Sequence, residues 1–121
     1  MDHKTVEDYI LQFAGARLDY PFGEGVAVYK VDDPTTGSRQ AKMFALIAEG
    51  KQPLNLSLKC DPNLSQTLRE KYETVMPGYH LNKKHWNTII LSGQLSWPEI
   101  QDLINHSYNL VSGQNQSNQN L

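Results

Sequence analysis

The sequence predicts an α+β domain: an N-terminal helix, an antiparallel sheet of about four to five strands, and further helices packed on that sheet. Three observations predict it. Three β-rich segments, residues 26–31, 42–48 and 54–60, follow one another through links that could not house a crossover helix, so neighbours must run antiparallel. In the third segment Leu54, Leu56, Leu58 and Cys60 alternate with Asn55, Ser57 and Lys59, which gives a strand one buried face and one wet face. Two helix-start signals, Asp61-Pro62 and Ser96-Trp97-Pro98-Glu99, each open a stretch whose apolar residues recur at helical spacing.

Taken in order, residues 5–15 place Val6, Ile10 and Phe13 on one helical face, with Thr5 as N-cap, Glu7 and Asp8 in the first turn and Gly15 as the stop. Tyr20-Pro21-Phe22-Gly23 then reads as a turn. The first two strands are joined by a long hairpin through Asp32-Asp33-Pro34-Thr35-Thr36-Gly37, and the next two by a short one through Glu49-Gly50-Lys51-Gln52-Pro53. Asp61 as N-cap and Pro62 at the first helical position start a second helix, with Leu64, Leu68 and Tyr72 stacked four apart, closed before Pro77-Gly78. A further strand runs over residues 86–91. The capping box at Ser96 and Glu99 starts a last helix whose buried stripe is Ile100, Leu103, Ile104, Ser107 and Val111, ending at Gly113. Residues 114–121 are Gln, Asn and Ser with one Leu, too polar to offset their ordering entropy, so residues 113–121 read as a disordered tail on a single domain spanning 1–112.

At 121 residues, 39% hydrophobic and 20% charged, the chain fits one globular domain. Residues 1–6 carry charge without an apolar stretch behind it, and the longest apolar run, 43–48, is far too short to span a bilayer. Neither a signal peptide nor a membrane anchor is expected. The single Cys60 excludes an intrachain disulfide, which fits a cytoplasmic location. Formal charge is -2 with a pI near 6.0, which argues against a dedicated nucleic-acid binder as far as totals go. The distribution says more. Residues 1–25 hold two basic against five acidic side chains, a net of -3, whereas residues 59–85 hold five basic against three acidic, a net of +2, with His80 and His85 able to add charge.

No catalytic, cofactor or metal constellation emerges. Cys60 could act as a nucleophile with His80 or His85 as base, but it falls on the apolar side of its strand, where a buried structural thiol is far commoner. His3, His80, His85 and His106 show no ligand spacing. Gly23-Glu24-Gly25 lacks the third glycine of a dinucleotide loop and the ending of a phosphate loop. Glu70 and Glu73 share a polar helix face with Arg69 and Lys71, as solvated helices do.

The run Pro77-Gly78-Tyr79-His80-Leu81-Asn82-Lys83-Lys84-His85-Trp86 is different. It sets two lysines, two histidines, an asparagine and two aromatics between a helix end and a strand start, and such donors suit phosphate oxygens and base edges. The bland alternative makes Tyr79 and Trp86 core anchors and has His80 and Asn82 hold the loop by bonding its backbone. Tyr20-Pro21-Phe22-Gly23, Lys42-Met43-Phe44-Ala45, Ser57-Leu58-Lys59-Cys60-Asp61-Pro62, Gly78-Tyr79-His80-Leu81-Asn82-Lys83 and His85-Trp86-Asn87-Thr88, in that order, resemble the MmcQ/YjbR family of small bacterial proteins over nearly everything up to Val111. The resemblance implies a secretion-chaperone-like fold and DNA binding through a double wing. Carried over residue by residue, it implies a site made of Lys59 from the polar side of the third strand and His80, Asn82 and Lys83 from the loop, with Lys84 and His85 beside them. One departure is the first hairpin, residues 32–40, which is longer and more acidic than in typical members, so that Asp32 and Asp33 would repel phosphate. The expectation is a non-enzymatic, weak and largely non-specific DNA binder that needs no cofactor. The rival expectation is a protein-interaction module, chaperone-like or homodimerising, without nucleic acid.

Overall fold

The computed structural model describes residues 1–32, 41–78 and 81–112, in the order α1 (His3–Ile10), β1 (Arg17–Asp19), β2 (Val26–Asp32), β3 (Ala41–Ala48), β4 (Asn55–Lys59), α2 (Pro62–Lys71), β5 (Val75–Pro77), β6 (Trp86–Ile90) and α3 (Trp97–Ser112). The strands form one antiparallel sheet in the order β1-β2-β3-β4-β6-β5. The fold class is therefore as expected, with six strands rather than four to five. The added strands, β1 and β5, are three residues each and lie at the two edges, too short to show an alternation in sequence. The tail 113–121 and most of the long first hairpin, residues 33–40, lie outside the described residues.

The helix starts depart from expectation only at α1. Its N-cap is Asp2, whose carboxylate accepts from the Thr5 amide at 2.8 Å, so Thr5 is not the cap. The helix also stops at Ile10 instead of running to Gly15, because the chain tightens into turns in which Gln12 N donates to Tyr9 O and Phe13 N to Ile10 O. Glu7 faces inward, accepting from the Tyr29 hydroxyl at 2.5 Å, and His3 Nε2 lies 3.3 Å from the same carboxylate. Burial, and then the bond to Glu7, pushes the Tyr29 phenol far above its ordinary range. At α2, Asp61 caps by accepting from the Asn63 and Leu64 amides, with Pro62 at the first position. At α3 the capping box is closed in both directions, Ser96 N to Glu99 Oε1 at 2.8 Å and Glu99 N to Ser96 Oγ at 3.3 Å.

All three helices pack on one face of the sheet. Val6 and Ile10 of α1 and Ile100, Ile104, Tyr108 and Val111 of α3 join Tyr29, Phe44, Ile47, Leu56, Leu58 and Ile89 in one core, with Leu68 and Tyr72 of α2 at its margin. On α2 the fully buried residue is Ser65, while Leu64, Leu68 and Tyr72 are half-buried. Phe44 is an extra residue in β3: Tyr29 pairs with Ala45 and Lys30 with Met43, so the bulge turns both Phe44 and Ala45 to the helix side.

The opposite face is not simply wet. Val28, Leu46 and Trp86 form a second buried cluster there, with Val26, Met43 and Leu81 packed against it. Trp86 is buried as expected, at 7% exposure, but away from the helices, since residues three apart on β6, Trp86 and Ile89, face opposite sides. Gly78 lies against it; a Cβ there would come within 2.7 Å of Trp86 Cβ.

His106 of α3 ties the two later helices together, its Nε2 accepting the Asp61 backbone N–H at 3.1 Å. Burial lowers its pKa from 6.5, and the Asp61 charge offsets this only in part.

Two predictions follow from this packing. Trp86→Ala is expected to cost about 3–5 kcal/mol and Gly78→Ala about 1–3 kcal/mol through the clash with Trp86; a urea midpoint unmoved in either variant would place Trp86 outside the structural core. Native His106 binds fewer protons than the unfolded chain, so stability is fully present above the unfolded value of about 6.5 and declines as pH falls through it towards the lower folded value. Unfolding curves across this window should show that loss, and His106→Gln should flatten it.

Candidate nucleic-acid interface

Among the described residues, Lys59, Asn82, Lys83, Lys84 and His85 converge at one end of the β4·β6 pair. The register sets Lys59 opposite Trp86, and the Cys60 N–H donates to His85 O at 2.8 Å, so the ladder continues into the loop. Lys59 and Trp86 therefore point to the same face, the one without helices.

The loop is tied mostly to itself. Gly78 N donates to Trp86 O at 2.9 Å, and Leu81 N to Gly78 O at 3.4 Å. The Asn82 side-chain oxygen accepts from Lys84 N at 2.9 Å, and its backbone oxygen accepts from His85 N at 3.2 Å. Asn82 thus holds the loop, the bland alternative for that residue, while remaining exposed. Lys83 Nζ makes one long bond to Gly78 O, 3.4 Å, and its side chain is otherwise exposed. Lys84 is exposed, and Lys59 and His85 are half-buried. Tyr79 and His80 lie outside the described residues.

Arg69 is the residue that sequence reasoning missed. The sequence places it on a solvated helix face; instead its Nε donates to Asn87 Oδ1 at 2.7 Å and its Nη2 to Trp86 O at 3.1 Å and to Lys83 O. The available signal was that Arg69 follows the buried Ser65 by four residues, which places both on one helical face. Asn87 is 2% exposed and anchored by this contact.

Three cations elsewhere in the chain are ion-paired. Lys4 pairs with Asp8 at 2.9 Å, Lys30 with Asp19 at 3.0 Å and Arg17 with Asp32 at 3.8 Å. Among the described residues Lys59, Lys83 and Lys84 have no ion-pair partner. Asp61, beside Cys60, is occupied as the N-cap of α2. The arrangement can offer three ammonium groups and the Asn82 amide to an anionic backbone.

Cys60 is buried on the helix side of the sheet, and burial pushes its thiol up. No group of three or more His, Cys, Asp or Glu side chains able to hold a metal ion occurs among the described residues, and none of their helices is long and apolar enough to cross a membrane.

A family model described as YjbR matches residues 11–110. The Escherichia coli O157:H7 protein YbdF is 34% identical over 109 residues, 90% of this chain and 83% of that protein. YjbR of Escherichia coli K12 is 39% identical over 66 residues, 54% of this chain and 56% of that protein. Among solved structures, a Deinococcus radiodurans protein superposes with a TM-score of 0.81 at 33% identity, covering 89% of this chain and 76% of that one. A Pseudomonas syringae protein gives 0.72 at 31%, covering 92% and 99%.

The burial of Cys60 is directly measurable. A thiol reagent such as Ellman's is expected to leave the native protein unmodified over minutes and to titrate one thiol after denaturation; rapid native labelling would return Cys60 to the list of reactive groups.

Proposed function

From the premise that this chain belongs to the YjbR family, we propose that it is a non-enzymatic DNA-binding domain whose contact region is the end of the β4·β6 pair. The observation that carries the proposal is the convergence of Lys59, Lys83 and Lys84 at one end of the β4·β6 pair. None of the three has a carboxylate partner among the described residues; Lys51 and Lys71 also lack one but lie elsewhere, while Lys4, Lys30 and Arg17 are each ion-paired. Phosphate contacts need cations whose charge is not already neutralised, because affinity comes from counterion release. The resemblance noted in the sequence supplies the choice of DNA, and His80, Asn82 and His85 complete the proposed contact set. With so few phosphates neutralised, binding is weak, salt-sensitive and largely indifferent to sequence. Burial of Cys60, with its thiol pushed up, argues against that residue as a nucleophile.

A second reading, a protein-interaction module, is favoured by a different observation. The short edge strand β1 and the turn after it carry exposed Leu18, Tyr20 and Phe22, the last 59% exposed. Light scattering that shows a stable dimer, together with no anisotropy change on labelled duplex at either low or physiological salt, would favour this reading and remove the first.

Under the DNA reading, the double variant Lys83→Glu, Lys84→Glu should lose at least about tenfold in affinity at low salt while its unfolding free energy moves by no more than about 0.5 kcal/mol. Charge reversal at Lys4 or Arg17 should weaken binding much less. Equal losses from both sets would attribute the effect to net charge and discard the site.

A further inference from the structure

Resting on the DNA-binding reading, we infer that Arg69 is the positioning residue of the cationic loop: it holds residues 83–86 from the inside and makes no phosphate contact of its own. Counted by composition, Arg69 is one of the five cations of the basic segment and an obvious phosphate ligand. Its geometry turns three of its five N–H donors inward, the Nε and Nη2 groups being bonded to Asn87 Oδ1, Trp86 O and Lys83 O. Two of these are backbone carbonyls on either side of Lys84 and His85, so one planar group rooted on α2 fixes both ends of that dipeptide. The third, Asn87, is buried in β6 and gives the clamp a rigid base. Arginine suits this task because its donors form a fixed fork, which a lysine ammonium cannot reproduce.

The remaining fastenings of the loop are the Asn82 turn, the Gly78–Trp86 backbone bond, the bond from Cys60 N to His85 O and the long Lys83 Nζ contact. None of them reaches α2. Without Arg69, the Lys83 carbonyl loses its guanidinium donor and the loop must be ordered when DNA arrives. A loop ordered in advance spares that conformational entropy on binding. Arg69 therefore raises affinity without adding to the number of phosphates neutralised.

The experiment compares Arg69→Gln, Arg69→Lys and the Lys83, Lys84 double variant in the full chain. One readout is amide hydrogen exchange, and the other is anisotropy of a labelled duplex across a salt series. For Arg69→Gln, exchange at Gly78, Lys84, His85 and Cys60 should accelerate by at least about tenfold, with amides of α3 and β3 unchanged. Affinity should fall by about five- to tenfold at each salt concentration, with the slope of log affinity against log salt unchanged. The lysine double variant should do the reverse, reducing the slope by up to about 1.8 with exchange unchanged. Arg69→Lys should behave like Arg69→Gln; full rescue by lysine would overturn the inference. So would a slope lowered by about 0.9 in Arg69→Gln with unchanged exchange, which marks a phosphate contact. Should Arg69→Gln not fold, Arg69→Lys carries the same comparison against the native protein. If the native protein shows no DNA binding at all, the functional reading falls, and the exchange data alone decide whether the clamp exists.

Discussion

The pairing of β4 with β6 is the constraint on which the rest of the molecule depends. Five residue pairs, from Asn55 opposite Ile90 to Lys59 opposite Trp86, join two segments separated by α2, β5 and the cationic loop. Everything between them must leave the sheet at Lys59 and return at Trp86. That requirement puts α2 on the helix face, lets β5 add to the outer side of β6, and brings the loop back beside the strand it left. Lys59 and the loop lysines are neighbours because of this closure and not because of any attraction between them. The closure costs loop entropy that grows only slowly with length, and it is offset by apolar burial on both faces of the pair.

Those two faces contribute differently. On the helix side, Leu56, Leu58 and Ile89 belong to the large core shared with α1 and α3. On the other side, Trp86 is packed with Val28 and Leu46, and the Ser57 and Thr88 hydroxyls are 2.8 Å apart. Burying a large side chain contributes on the order of 2–3 kcal/mol, whereas an exposed ion pair such as Arg17–Asp32 contributes about 0–1 kcal/mol. The position of the cationic loop is therefore set by Trp86, Gly78 and the Arg69 fork, and hardly at all by surface charge. This separation allows the exposed lysines to be chosen for what they meet in solution.

Legibility in the sequence followed the same division. The alternation of residues 54–60 and the caps at Asp61 and Ser96 gave their elements directly, because each is a local pattern with one low-energy reading. Edge strands β1 and β5 carry no such pattern; three residues exist as strand only through the neighbour they pair with. Asp2 was passed over as a cap since the apolar periodicity begins four residues later, at Val6. Trp86 was legible as buried but not as to which face, since periodicity within one strand does not say which side the helices take. Arg69 was illegible for a related reason. A charged side chain in a polar stretch reads as solvated until the tertiary fold supplies its acceptors, here Lys83 O and Trp86 O; the Asn82 turn, by contrast, is a local pattern, its side-chain oxygen accepting from Lys84 N two residues on.

The net charge of -2 is a weaker argument against an anionic partner than it first appears, and the reason is range. The acidic excess lies in residues 1–25, but much of it is locally committed: Asp8 to Lys4, Asp19 to Lys30, Asp2 to the start of α1 and Glu7 to Tyr29. What remains acts as a diffuse field. At physiological ionic strength such a field fades over about 8 Å, while at 0.01 M it extends over about 30 Å. Counterion release, by contrast, depends only on the phosphates actually contacted and grows as salt falls. The two therefore oppose each other most strongly at the lowest salt, where whole-molecule repulsion reaches furthest. For a domain of this kind, net charge bends the salt dependence at its low end, and the unpaired local cations decide whether there is any binding to bend.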